Sequence, residues 1–210
     1  MKFHNIEGRN IENGHGIRVL LWVSGCFHHC PGCHNPVTHD PNDGVEFDSD
    51  AMNEIIEALK PDYISGLTLT GGDGLCFYKQ ECLDVIREVR RHFGNSKTIW
   101  IYTGFTLERL LKDIFFDTST VIPEMREVLK EILLETDVLC DGKFEQDKAS
   151  VEYHWVGSTN QRVIDMRKTI SEGKLVFAEK EQEKFCTTDN TEVNELISRF
   201  SNVLNTKKEV

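Results

Sequence analysis

The chain has 210 residues, of which 39% are hydrophobic and 28% charged, and a net charge of −11. That is enough chain for a real core, and the composition is that of an ordinary soluble globular protein, most simply one domain. The acidic balance, with no Lys/Arg cluster, argues against binding nucleic acid through its phosphates, and no apolar run has the length of a membrane-spanning helix.

The start, Met1 to Glu7, lacks the apolar core of a signal peptide. Residues 1 to 18 are polar and glycine-rich and read as a turn leading into the first strand. Val19 to Val23 is uniformly apolar, like a parallel strand buried on both faces. Directly after it come Cys26, Cys30 and Cys33, spaced C-x3-C-x2-C. A ligand loop belongs there, at the C-terminal end of a strand. Three thiolates can hold three irons of a [4Fe–4S] cluster and leave the fourth iron for a non-protein ligand. Pro31 and Gly32 favour a tight turn that returns Cys33 toward the first two. His28, His29, His34 and His39 lie nearby, and cysteine with histidine is also a zinc-type donor set. Taken singly, each histidine reads as a solvated loop residue. The chain has seven cysteines, an odd number with three of them bunched, which suits a reducing cytoplasm better than a disulfide framework.

Asp48 or Ser49 caps a helix with Met52, Ile55, Ile56 and Leu59 on one face, and Pro61 stops it. Tyr63 to Leu69 is a second strand, running into Gly71-Gly72-Asp73-Gly74. A glycine pair after a strand lets a ligand approach the backbone closely. Alone it reads as an ordinary turn; beside a cysteine loop on the preceding strand it reads as a ligand loop. Cys82, Leu83, Ile86, Val89 and Phe93 mark the next helix, ended by Gly94-Asn95. Thr98 to Tyr102 is the third strand, followed by Thr103-Gly104. Thr106 caps a helix through Ile114, Phe115 to Ile122 is a loop, and Pro123 opens another helix. Asp137 to Cys140 is the fourth strand, with Asp141-Gly142-Lys143 at its end. Asp141 and Lys143 either project toward a shared site or form a surface ion pair worth at most about 1 kcal/mol.

Residues 152 to 167 read as an edge strand followed by a polar loop. Glu179 to Lys184 is a solvated charged run, and Val193, Leu196, Ile197, Phe200, Val203 and Leu204 mark an amphipathic helix that covers apolar surface. Cys76, Cys82, Cys140 and Cys186 make no second ligand motif and read as free thiols. Strand and helix alternate four times, which predicts an α/β fold: a partial, open (β/α) barrel with a mostly parallel sheet and its site at the strand C-termini. The expected division is a domain over 1–170 and a C-terminal extension over 171–210.

The C-x3-C-x2-C motif resembles that of the radical S-adenosylmethionine (SAM) enzymes. More narrowly, Asn13-Gly14-His15-Gly16, Gly71-Gly72-Asp73, Trp100 to Gly104, Asp141 to Phe144 and Gly157 to Arg162 resemble the activating proteins of anaerobic ribonucleoside-triphosphate reductase. The likeness spans roughly residues 3 to 167. It implies an enzyme whose Cys26, Cys30 and Cys33 bind a [4Fe–4S] cluster and whose partner is the anaerobic reductase, with an external one-electron donor. It implies SAM contacts by Gly32, Cys33 and His34 in the cysteine loop, His34 near the adenine, and by Gly71, Gly72, Asp73 and Gly74. Thr103, Asp141 and Lys143 complete the implied set; no acid–base residue is required. Gly74 stands where this family usually has proline, and Val156 where arginine is common. Two other readings stay open here: another small radical SAM enzyme, of deazaguanine synthase or pyruvate formate-lyase activase type, and a zinc-binding interaction module.

Overall fold

The computed structural model describes residues 1–116, 121–152, 154–179 and 189–206. Part of the expected 115–122 loop, the 180–184 run and Cys186 lie outside them, as does the side chain of Leu204. Seven strands form one sheet: β1 (Lys2–Asn10), β2 (Ile17–Val23), β3 (Val45–Glu46), β4 (Ile64–Gly71), β5 (Thr98–Tyr102), β6 (Val138–Asp141) and β7 (Arg162–Asp165). Their order is β3-β1-β2-β4-β5-β6-β7, and the sheet is open. The centre, β2-β4-β5-β6, is parallel. Both edges are antiparallel.

The N-terminal segment differs from expectation. Residues 2–10 form a strand where the sequence reads as a turn. Most of β1 is only partly buried and carries polar residues, so its strand character comes from pairing with β2. The expected order over 152–167 is reversed: the polar loop comes first and the edge strand β7 follows it.

The helices are α1 (Ser49–Leu59), α2 (Gly74–Phe77), α3 (Lys79–Phe93), α4 (Leu107–Phe115), α5 (Pro123–Glu135), α6 (Met166–Glu172) and α7 (Thr191–Thr206). Asp48 caps α1 by accepting from the N–H groups of Asp50 and Ala51, and Thr106 caps α4 through Arg109. Val19, Leu21, Val23, Leu67, Leu69, Ile99, Ile101 and Leu139 point to one face of the sheet. There they join the buried apolar side chains of α1 and α3–α5. Val193, Leu196, Ile197 and Phe200 of α7 belong to the same cluster.

The other face is built in rungs, because side chains alternate along a strand. Arg18, Gly66 and Thr98 sit side by side at the N-terminal end; Leu20, Thr68, Trp100 and Val138 form the next rung. Trp22 and Thr70 then pair near the C-terminal end, as do Tyr102 and Cys140. Among the described residues, no helix side chain belongs to the buried cluster of Trp100, Cys140 and Val163 on this face.

Candidate metal and cofactor site

The strand C-terminal ends surround a cavity of about 410 Å³. Cys26, Cys30 and Cys33 line it, with His34, Gly71, Gly72, Asp73, Thr103 and Lys143. Gly32, Gly74 and Asp141 are not among its lining residues.

The cysteine loop is tied down at its root. The N–H groups of Gly25 and Cys26 donate to the carbonyls of Thr38 (2.8 Å) and His39 (3.0 Å). Within the loop the Cys33 N–H donates to the Cys30 carbonyl (3.1 Å), which closes the turn at Pro31-Gly32. Gly32 has φ +73°, a conformation that costs glycine little. The Asn35 N–H points at Cys33 Sγ, 3.4 Å away. Burial pushes the Cys30 thiol up. The neighbouring Cys76 thiol, with help from the His28 N–H and against burial, draws Cys26 down to about 6.

The glycine pair abuts this root. The Gly72 N–H donates to Val23 O at 2.7 Å, and the Asp73 N–H to Gly25 O at 2.9 Å. A Cβ on Gly72 would lie 2.7 Å from Gly25 O and 2.9 Å from both Thr38 O and Val23 O. Only glycine lets the two loops meet so closely.

Asp73 joins three loops. Its side chain is 3% exposed. Oδ1 accepts from the Leu75 N–H (2.9 Å) and so caps α2. Oδ2 accepts from the Thr103 hydroxyl (2.8 Å) and the Gly104 N–H (2.9 Å), and meets His28 Nε2 at 2.8 Å. His28 is therefore no solvated loop residue: its ring is buried against Gly104, where a Cβ would come within 2.4 Å of it. The C-x3-C spacing gives no hint of this, because both partners come from distant loops.

Asp141 is fully buried and pairs with neither Lys143 nor solvent. It accepts from the Leu107 N–H (2.7 Å) and from Arg162 Nε (2.8 Å) and Nη2. Arg162 also reaches Glu108 at 2.7 Å through both terminal nitrogens. Burial opposes the Arg162 charge, yet its bonds to Asp141 and Glu108 hold its pKa above the usual range. Asp141 thus anchors α4 and β7 beneath the site, while exposed Lys143 reaches the cavity itself. Gln161 clips the 157–161 loop to this strand end, donating to Gly142 O (2.9 Å) and accepting from the N–H groups of Gly157 and Ser158.

Cys82 and Cys140 are buried free thiols, as expected. Cys76 is not a bystander. Its sulfur, Cys26 Sγ and a ring nitrogen of His28 all lie within 4.8 Å of one another.

The site suits an iron–sulfur cluster and a small polar cofactor. Three free thiols converge on one cavity, an N–H is directed at one sulfur, and a glycine pair exposes backbone beside them. The model of the 4Fe-4S single cluster domain matches residues 12–164. The anaerobic ribonucleoside-triphosphate reductase-activating protein of Pasteurella multocida is 39% identical over 156 residues, covering 72% of this chain and 89% of the relative. Its namesake in Enterobacteria phage T4 is 34% identical over 164 residues, 78% of this chain and 93% of the relative. That of Escherichia coli K12 is 34% identical over 171 residues, 80% of this chain and all of the relative.

Proposed function

The chain belongs to the family of anaerobic ribonucleoside-triphosphate reductase-activating proteins, and on that premise we propose that it activates such a reductase as a radical SAM enzyme. The observation that carries the reading is the convergence of Cys26, Cys30 and Cys33 on the cavity that Gly71 and Gly72 also line. When bound, a [4Fe–4S] cluster would supply the one electron for reductive cleavage of SAM, the chemistry by which hydrogen is abstracted from a glycine of the reductase. The rest is the work of this chain's own groups. Cys26, Cys30 and Cys33 would hold three irons of the cluster and leave the fourth for a non-protein ligand. The backbone at Gly71 and Gly72 offers acceptors to the amino group of SAM. Lys143 offers positive charge to its carboxylate. His34 and Thr103 border the nucleoside. Gly32, Gly74 and Asp141 shape these loops from behind and Asp73 from the cavity wall: Asp73 and Asp141 have their oxygens engaged by protein partners, so their part is to hold Thr103, His28 and α4 in place. No side chain needs to move a proton.

The same reading takes the face of the sheet that carries Trp100, Cys140 and Val163 as the interior of a partial barrel, through which a loop of the reductase enters. It assigns the cytoplasm as location, an external one-electron donor, and no membrane or nucleic-acid partner. Among the described residues no helix is long and apolar enough to cross a membrane.

The test is anaerobic. Reconstituted protein incubated with reductant, SAM and the reductase should give a glycyl radical signal in electron paramagnetic resonance. The Cys30→Ala protein should lose both the cluster and SAM cleavage. SAM cleavage at the wild-type rate by Cys30→Ala would remove the ligand assignment. Intact cleavage without a glycyl signal would point to a different radical SAM substrate.

A further inference from the structure

We infer that cluster-free protein holds a zinc-class divalent ion with Cys26, Cys76 and His28, and that this ion and the cluster exclude one another because both need Cys26. The inference deepens the functional reading, since it concerns how the same site is loaded.

Three observations carry it. The ligand atoms of Cys26, His28 and Cys76 lie within 4.8 Å of one another, close enough for one ion to reach all three after small side-chain adjustments. The donor set is two sulfurs and an imidazole, which soft and borderline ions prefer over Mg²⁺ or Ca²⁺. The third is His28 itself. Asp73 Oδ2 sits 2.8 Å from His28 Nε2, and this carboxylate is fixed in turn by Thr103 and Gly104. With Nε2 held by a carboxylate the His28 ring is fixed in orientation, and Nδ1 remains as its second possible donor to a metal. His34, in the same loop, is exposed instead.

The bound ion is held by two thiolates, whose charges balance its own. Cys30 and Cys33 lie outside this set. The two metal states therefore differ by a swap: Cys26 with Cys30 and Cys33 for the cluster, Cys26 with Cys76 and His28 for the single ion. A zinc-class ion so bound keeps Cys26 from the cluster and holds the protein in an inactive form.

Cobalt(II) is the probe, because tetrahedral thiolate coordination gives it intense visible and charge-transfer absorption. Cluster-free wild-type protein, titrated without oxygen, should bind one equivalent with that spectrum. Cys76→Ala should abolish it, and Cys76→Ser should do the same while keeping side-chain size, with circular dichroism checking the fold. Asp73→Asn should weaken binding about 10- to 100-fold. Cys30→Ala should keep the spectrum although it cannot build the cluster. Equimolar Zn²⁺ should suppress cluster reconstitution in wild type and not in Cys76→Ala. Absence of the cobalt spectrum in wild type, or its survival in folded Cys76→Ala, overturns the inference. Either result leaves SAM cleavage by the reconstituted enzyme, and hence the functional reading, to stand or fall separately.

Discussion

The two ends of the parallel strands treat buried charge in opposite ways. At the N-terminal end Arg18 is fully buried. Its guanidinium donates to the Thr68 hydroxyl (2.6 Å), the Thr98 hydroxyl (2.9 Å) and the carbonyls of Leu67 (2.7 Å) and Thr98 (3.0 Å), and stacks over Trp100. Desolvation brings its pKa down to about 10, still charged at neutral pH. Nearby, Asp137 is held by Arg90, Arg167 and the Ile99 N–H. This end is filled. At the C-terminal end the hub is a carboxylate, Asp73, and its partners are loops rather than strands. That end is left hollow. One end spends its polar groups on closing the sheet and the other on aiming loops at a cavity, so equal chemical damage should read out as lost stability at one and lost cofactor at the other.

A matched pair of glycines tests this most severely. A Cβ on Gly66, in the lowest rung, would fall 1.9 Å from the Thr98 carbonyl oxygen. Gly66→Ala should therefore cost at least about 3 kcal/mol and yield little soluble protein, measured by expression and denaturant unfolding. Arg18→Met comes next. It leaves three carbonyls, those of His15, Leu67 and Thr98, and two hydroxyls short of donors, and the expected loss is about 2 kcal/mol, with cluster content unchanged in the folded fraction. Gly72→Ala, at the opposite end, should cost only about 1 kcal/mol but should push the cysteine loop off its root, so that iron and sulfide content falls sharply at near-normal thermal stability. If Gly72→Ala unfolds the protein as readily as Gly66→Ala, the two ends are not distinct.

The smallest effect is pH-dependent. Burial opposes ionisation of Asp137, but the Ile99 N–H and the two arginines outweigh it and hold the carboxyl below its usual pKa. A depressed folded-state pKa stabilises above the unfolded value, about 3.9, and that stability is lost as pH falls through the folded value. Asp137→Asn should accordingly be about 1 kcal/mol less stable than wild type at neutral pH, and the gap should close on acidification below about pH 4. Unfolding curves of the cluster-free proteins across that range decide it; a gap independent of pH would assign the loss to packing.

The central elements were readable from local signals. The apolar runs of β2, β4, β5 and β6 and the i, i+3, i+4 stripes of α1, α3 and α4 report burial directly, and Asp48, Thr106 and Pro123 mark helix starts by local hydrogen-bond chemistry. β1 was not readable, because a half-exposed polar strand is made by its partner. The 152–167 order was lost for the same reason: β7 is held by β6, and the preceding loop by Gln161.

Sequence alone therefore determined the three-cysteine motif, the alternation of strand and helix and the family, since each depends on residues close together in the chain. Tertiary structure alone decided that His28 belongs to Asp73, that Asp141 belongs to Arg162, and that Cys76 stands beside Cys26 across 50 residues of chain. Those pairings arise where parallel strands bring distant loops to one end of a sheet, and no spacing along the chain records them.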